Sequence, residues 1–502
     1  MSLTNYIGKD KLFEGAFLIN LDSRPDRLFH STNELKKVGI QDLVERLPAI
    51  QHRYGMVGCS LSHLECVKLA KQRGWKSVLI FEDDITIKPN FNEFYTRVLD
   101  QLSKRNWTVF HFGAMLMNIC TQVDDNLLQV GYNWAAHAIA IHERAYDFII
   151  EKYDWSYSET DSSKPWGGHY PFDGFINKNT FDAGFEIYSA YPLLISQTPG
   201  HSDTWGYHRD YKDLIEQSYR VQICSEVNVI IFSKNRPMQL HATLESYAKY
   251  ARDSGSARIN VLYTHDPQYE EGYNIVKKYF SNVNFVKEVK FSDDLKKLVE
   301  GRRYTFFIVD DTVFHAPFYV SDACDTLSLD KDVFSFSYRL GANTQYSYIN
   351  NVCFERQKEY DSCESIIKLD WTKKLPYIDF GYPFEVSSSV YRSNDLLSIL
   401  EDHSMNCSNP NYFELAGTTI VYTHKKHFGN LIATYRKSVA VSVPLNRVQH
   451  LHLNRCGIEP IYVPESLLRY YESGKILNFD NINEHWISNS VHVELKPEFK
   501  SR

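Results

Sequence analysis

Two hydrophobic runs in this chain end directly in acidic residues, and that arrangement limits the folds open to it. Val78-Leu79-Ile80-Phe81 runs into Glu82-Asp83-Asp84, and Tyr304-Thr305-Phe306-Phe307-Ile308-Val309 runs into Asp310-Asp311. Both runs have strand length and little polar interruption, as in strands covered on both faces. Carboxylates at such an end are too costly to bury unpaired, so they must meet water, a basic group or a cation. The same order of events precedes each run. Ala16-Phe17-Leu18-Ile19 reads as a strand, stopped by turn residues containing Arg24-Pro25, with a helix following to about Val38. Val227-Asn228-Val229-Ile230-Ile231-Phe232 is followed by Ser233-Lys234-Asn235-Arg236-Pro237 and a helical pattern through Leu240, Leu244 and Tyr247. Pro237 suits a first helical turn.

Strands alternating with helices predict an α/β fold with mostly parallel sheets, here in two tandem domains of one class. Thr108-Val109-Phe110-His111-Phe112 is a further strand closed by Gly113, and Ser62 with Glu65 has capping-box spacing at a helix start. A polar stretch between about 206 and 226 separates the halves. The expected domains are 1–220 and 221–460, with 461–502 as an accessory helix and tail. A chain of 502 residues is long enough for two such cores.

Composition removes some classes. The formal net charge is −7, which gives no basic footprint for nucleic acid. No apolar stretch reaches the ~18 residues of a membrane span. The first residues lack a basic region followed by an apolar one, which points to a cytoplasmic protein without a secretory signal. The nine cysteines are odd in number with no CxxC pair, and they read as mostly reduced, buried thiols. No glycine-rich phosphate loop accompanies the acids, which disfavours kinase and dehydrogenase readings.

In open α/β sheets ligands bind beyond the carboxyl ends of the strands. Oxygen-only donors there suit Mg²⁺ or Mn²⁺, which can take two diphosphate oxygens and neutralise a leaving group. Glu82, Asp83, Asp84, Asp310 and Asp311 are therefore candidate metal ligands. The competing reading of each is a solvated acidic loop.

Residues 16–84 also carry four ordered blocks. They are Phe17-Leu18-Ile19-Asn20-Leu21-Asp22-Ser23-Arg24-Pro25-Asp26-Arg27, Leu47-Pro48-Ala49-Ile50, Gly58-Cys59-Ser60-Leu61-Ser62-His63 and Leu79-Ile80-Phe81-Glu82-Asp83-Asp84-Ile85. This pattern resembles glycosyltransferase family 25, with weaker agreement through Pro171-Phe172-Asp173 to Ser202-Asp203. The resemblance implies a GT-A nucleotide-sugar fold, a UDP-sugar donor, Mn²⁺ (or Mg²⁺) and inversion at the anomeric carbon. By the same resemblance Asp83 and Asp84 match the metal motif, with Glu82 beside them. Asn20, Asp22 and Arg24 match the nucleotide-side loop, and Asp173 the acceptor-side acid, our candidate base. His63 is read either as orienting a substrate or as a structural residue. His201 is a candidate extra metal ligand.

The second half resembles GT-A glycosyltransferases in general. Asn235 and Arg236 match the nucleotide-side loop, and Asp310-Asp311 would stand for the metal motif. Asp379 and Glu414 are candidate bases, and Trp371 with the neighbouring aromatics is read as acceptor-stacking or as core. His450 and His452 alternate and could share a strand face. The expected function is a bifunctional glycosyltransferase acting on a glycan or glycoprotein acceptor, its first module transferring galactose or glucose. The alternatives are a single active module with a degenerate acceptor-binding partner, a non-catalytic carbohydrate-binding protein, and a nucleotidyl or phosphoryl transferase.

Overall fold

The computed structural model describes residues 3–153, 171–203, 207–355, 365–374, 378–402, 406–425, 427–448, 455–483 and 485–502. The chain divides into two compact units, Met1–Gln222 and Ile223–Arg502. Each is built on an eight-stranded sheet of described strands, so the expected tandem α/β fold is what the structure shows.

In the first unit, β1 (Gly15–Asn20) is buried along its whole length. Pro25 then opens α1 (Pro25–Lys37) at its first position, and Lys36 and Lys37 close it at the dipole's negative end. β2 (Glu45–Pro48) pairs parallel to β1, α2 (Gly55–Gln72) crosses back, and β3 (Ser77–Glu82) pairs parallel on the other side of β1. Val78, Leu79, Ile80 and Phe81 are fully buried, which supplies roughly 1.5–3 kcal/mol for each large side chain. The chain order reverses at β1, so the ends of β1 and β3 flank a switch-point crevice. Asn20 and Glu82 are the last residues of those strands.

The two sheets share more than class. In the first, seven of the eight strands run Glu45–Pro48, Gly15–Asn20, Ser77–Glu82, Ala138–His142, Val109–His111, Ile187–Ala190, Leu127–Gln129, with Thr121–Asp124 beyond the last. In the second the matching seven run Arg258–Thr264, Val227–Lys234, Tyr304–Val309, Ser389–Arg392, Val333–Ser337, Leu431–Tyr435, Ile366–Asp370, with Asn284–Lys287 before the first. Six successive pairings go parallel, parallel, antiparallel, antiparallel, parallel, antiparallel in the first unit. The second repeats them in that order. After the acids, a short strand pairs antiparallel with a late segment in both units: Ile85–Ile87 with Ile195–Gln197, and Thr312–Phe314 with Ala440–Ser442. That pairing carries a late loop back to the strand-end carboxylates in each unit.

Some local expectations change. Helix α2 starts at Gly55, so Ser62 is no cap. Its hydroxyl instead donates to the Gly58 carbonyl one turn back, 2.7 Å away. The final residues form a helix, Pro464–Glu472, and a strand pair, Lys475–Asn478 with Glu498–Ser501. The described cysteines are all free, but only Cys66, Cys224 and Cys324 are buried, and Cys353 is exposed. Among the described residues no helix is long and apolar enough to cross a membrane.

Candidate active sites at the strand ends

The carboxyl ends of β1 and β3 open into a cavity of about 450 Å³. Asn20, Arg27, Cys59, His63, Glu82, Asp83, Asp84 and Asp173 line it, with Gln197 and Asp203 from the late loop. Asp83 is buried, and its carboxylate accepts from Asn20 Nδ2 (2.8 Å) and from Arg27 (3.1 Å). Asp84 lies 4.0 Å from the same guanidinium and receives Gln197 at 3.4 Å. Burial raises the pKa of Asp83, Asp84 and Asp173 and lifts Glu82 well above the usual carboxylate range, with Asp84 adding to the rise at Glu82. Arg27 opposes that rise at all three strand-end acids, and Asn20 does so at Asp83. Asp173 accepts backbone N–H bonds from Gly174 (2.8 Å) and Ala135 (3.2 Å). A crowd of carboxyls with one close guanidinium is under-neutralised, and its oxygen donors fit a hard divalent cation.

The block Gly58 to His63 explains how this wall is held. A Cβ on Gly58 would stand 2.4 Å from the Ile50 carbonyl, so only glycine lets α2 approach the 49–53 loop that lines the cavity. Ser62 Oγ accepts from the Ile50 N–H at 2.8 Å, and Ser60 Oγ accepts from the Phe172 N–H at 3.1 Å. The block thus binds both the 49–53 loop and the segment bearing Asp173.

The nucleotide-side trio separates in space. Asn20 lines the cavity, while Asp22 is exposed and paired with Arg46. Arg24 is drawn to Asp26 and Asp203 and does not line it. The residue that meets the acids is Arg27, one helical turn on; it is not among the expected site residues, although the i, i+3 spacing from Arg24 would have signalled it. His201 is also displaced from its expected role. It lies on a short strand, Gly200–Ser202, whose flanking residues Gly200 and Ser202 line the cavity while His201 is exposed. Alternation along the strand turns its ring away, and its backbone carbonyl accepts from Arg27.

In the second unit the corresponding cavity is about 1140 Å³. Asn235 takes a positive φ of 54°, which asparagine tolerates, and exchanges two 2.8 Å bonds with Asp266. It fastens the loop and does not line the cavity. Arg236 is buried and bonds Asp310 at 3.0 Å, Asp311 at 3.2 Å and Asn446 Oδ1 at 2.9 Å. A cation at Asp310 and Asp311 would have to displace this guanidinium, so the donor set is less open than that of the first unit. Burial pushes Asp310 up to about 6.

Asp379 and Glu414 both line this cavity. Burial raises Asp379 to about 6 and Glu414 to about 7. Both Glu414 oxygens are engaged, by Tyr382 Oη (3.0 Å) and the Val386 N–H (2.9 Å). Asp379 Oδ2 is buried with no hydrogen-bond partner among the described residues. Trp371 is a core residue, 1% exposed, with its indole N–H donated to the Gly429 carbonyl. Its acceptor-stacking reading gives way to packing. Arg339 and Glu385, unmarked by the sequence, form a buried ion pair at the cavity wall. His450 and His452 lie outside the described residues.

Residues 53–122 match the model of "Glycosyltransferase family 25 (LPS biosynthesis protein)", so the family resemblance read from the sequence stands. The "Bifunctional glycosyltransferase pgtA" of Dictyostelium discoideum is 28% identical over 301 residues, 53% of this chain and 38% of that protein. A "Glycosyltransferase 25 family member" of Drosophila melanogaster is 28% identical over 158 residues, 25% of this chain and 26% of its own. The human "Inactive glycosyltransferase 25 family member 3" is 30% identical over 134 residues, 21% and 22% of the two chains. The chain thus spans under two fifths of the length of these relatives. Among solved structures, S. aureus TarS 1–349 in complex with UDP overlaps 43% of this chain and 59% of its own at a TM-score of 0.29 and 13% identity, too loosely to argue from.

Proposed function

We propose that this chain is a two-module glycosyltransferase, each module working at the carboxyl ends of its switch-point strands. One observation carries the reading: a carboxylate cluster recurs at the same place in two sheets that share a seven-strand order and its pairing pattern, in a chain whose residues 53–122 match the family-25 model. In the first module Asn20 and the 49–53 loop hold the nucleotide of a UDP-hexose. Asp173 accepts the proton of the acceptor hydroxyl as its oxygen attacks the anomeric carbon from the face opposite the diphosphate, which inverts that centre. Mn²⁺ or Mg²⁺ held by Asp83 and Asp84 would supply charge neutralisation of the departing UDP. Arg27 adds a fixed positive charge beside it. In the second module Arg236 supports the donor and Asp379 is the base, acting on the glycan extended by the first.

A specific observation favours a second reading of that module. Arg236 already satisfies Asp310 and Asp311, as in a site that binds acceptor and does not turn over donor. Release of UDP, GDP or CMP from a panel of sugar nucleotides with Mn²⁺, measured on the full chain, tests both. Release is expected to fall at least about a hundredfold in Asp84→Asn, the scale of losing a main electrostatic stabiliser. No release from any donor would refute the catalytic reading. A second transfer product that persists unchanged in Asp310→Asn/Asp311→Asn would show that these acids do not hold its metal, and a wild-type chain that makes no second product with any donor would leave one active module.

A further inference from the structure

Glu82 does not face the same way as the two acids that follow it. Asp83 and Asp84 turn toward Asn20, Arg27 and Gln197, whereas the Glu82 carboxylate turns to α2. There Cys59 and His63 stand one helical turn apart, and their ligand atoms and a Glu82 oxygen all lie within 4.8 Å of one another. Glu82 Oε1 is 3.4 Å from His63 Nε2 and 3.9 Å from Cys59 Sγ. The imidazole is 1% exposed, stacks on Phe172 at 4.9 Å and bonds the Cys59 carbonyl through Nδ1 at 3.0 Å. A backbone carbonyl on Nδ1 fixes the tautomer that leaves a lone pair on Nε2, as it does for histidines that bind metals. By hydrogen-bond geometry that Nε2 has no partner among the described residues.

We infer that Cys59, His63 and Glu82 form a site for a borderline-soft divalent ion, zinc-like in preference, separate from the oxygen site of Asp83 and Asp84. Bond lengths of about 2.0–2.2 Å to N and O and about 2.3 Å to S, at tetrahedral angles, place N and O about 3.4 Å apart and S and O about 3.6 Å apart. The first spacing is met as it stands, the second needs a small shift of a half-buried thiol, and the sulfur, 3.8 Å from Nδ1, needs a turn of its side chain toward Nε2. A carboxylic acid donating to Nε2 would close to about 2.6–2.9 Å, so the observed gap is better filled by an ion than by a proton. Mixed S, N and O donors disfavour Mg²⁺ and favour zinc. The three ligands occupy one face of a tetrahedron, and all three residues line the cavity, which leaves the fourth position toward it. When the S–Zn bond forms, the thiol proton leaves to solvent.

The test reads metal binding and needs no sugar transfer, so it stands apart from the proposed activity. Co²⁺ titrated into the full chain is expected to give a near-ultraviolet thiolate-to-cobalt band saturating at one equivalent. Zn²⁺ should bleach it and Mg²⁺ should not. Cys59→Ser and His63→Gln should each lose the band, and Asp83→Asn should keep it. On the wild-type chain, where folding of variants is not at issue, Zn²⁺ at about ten times its Kd should slow alkylation of Cys59 about tenfold and leave the exposed Cys353 unchanged. Absence of a band, a band that survives Cys59→Ser, or alkylation of Cys59 indifferent to Zn²⁺ would each overturn the site.

Discussion

Glu414 is held protonated by burial at the wall of the second cavity, and its replacement by glutamine measures how firmly. Burial lifts its pKa from an ordinary 4.5 to about 7. The folded chain therefore holds a proton that the unfolded chain releases between those two values. Stability from this group is complete below about pH 4.5 and is lost as pH rises through about 7, which is the sign for any carboxyl raised by folding. From about pH 5 to about pH 7.5 the loss works out at about 2.4 kcal/mol by linkage, since each tenfold change in proton activity is worth about 1.36 kcal/mol. Contact with the cavity trims it toward about 2 kcal/mol. Glu414→Gln removes the titration and keeps an amide oxygen for the Val386 N–H. Urea unfolding of the full chain and the variant at both pH values isolates the effect, because every other titrating group cancels in the double difference. Glutamine should gain about 2 kcal/mol on wild type between the acid and the neutral condition. A double difference within about 0.5 kcal/mol of zero would show that the carboxyl is not raised and would refute the reasoning.

Two further outcomes follow from the same cavities. Asp379→Asn should cost the second transfer between about a hundredfold and ten-thousandfold in turnover, the range of a lost general base, and leave the first product intact. The wild-type second transfer should rise with pH through about 6, and unchanged turnover in Asp379→Asn would remove it as base. Gly58→Ala places a methyl 2.4 Å from the Ile50 carbonyl, where backbone must move. It should cost about 1–3 kcal/mol in urea unfolding and raise the KM for donor more than it lowers kcat, and a variant as stable as wild type would refute the close approach.

The sequence disclosed the frame of both sites because strand and turn signals are local. Buried strands, the proline at N1 of each following helix and the acids at the strand ends needed no knowledge of distant residues. What stayed hidden depends on contacts across the fold. Ser62 and Glu65 had the spacing of a cap, but the helix had begun at Gly55, and the serine is spent on Gly58 and Ile50. His201 could not be told from a ligand until the Gly200–Ser202 strand fixed which residues point into the cavity. Asp379 and Glu414 were equal candidates until hydrogen bonding filled one and left the other with a bare oxygen.

The two units also show where motif equivalence stops. Arg24-Pro25 and Arg236-Pro237 occupy the same place before the first helix, which suggests equal arginines. Only Arg236 reaches its acids; in the first unit that position goes to Arg27, and Arg24 turns outward to Asp26 and Asp203. The strand-end carboxylates require a neighbouring positive charge wherever the sheet buries them, and the first turn of the helix offers more than one residue that can supply it. Charge balance is thus retained at the level of the cavity while the residue that provides it changes. The degree of lock changes with it. Arg236 is held by four oxygens, including both from Asn446, and leaves its acids with little open coordination. Arg27 touches Asp83 closely and Asp84 only at 4.0 Å, so an incoming cation in the first unit has one carboxylate already half free.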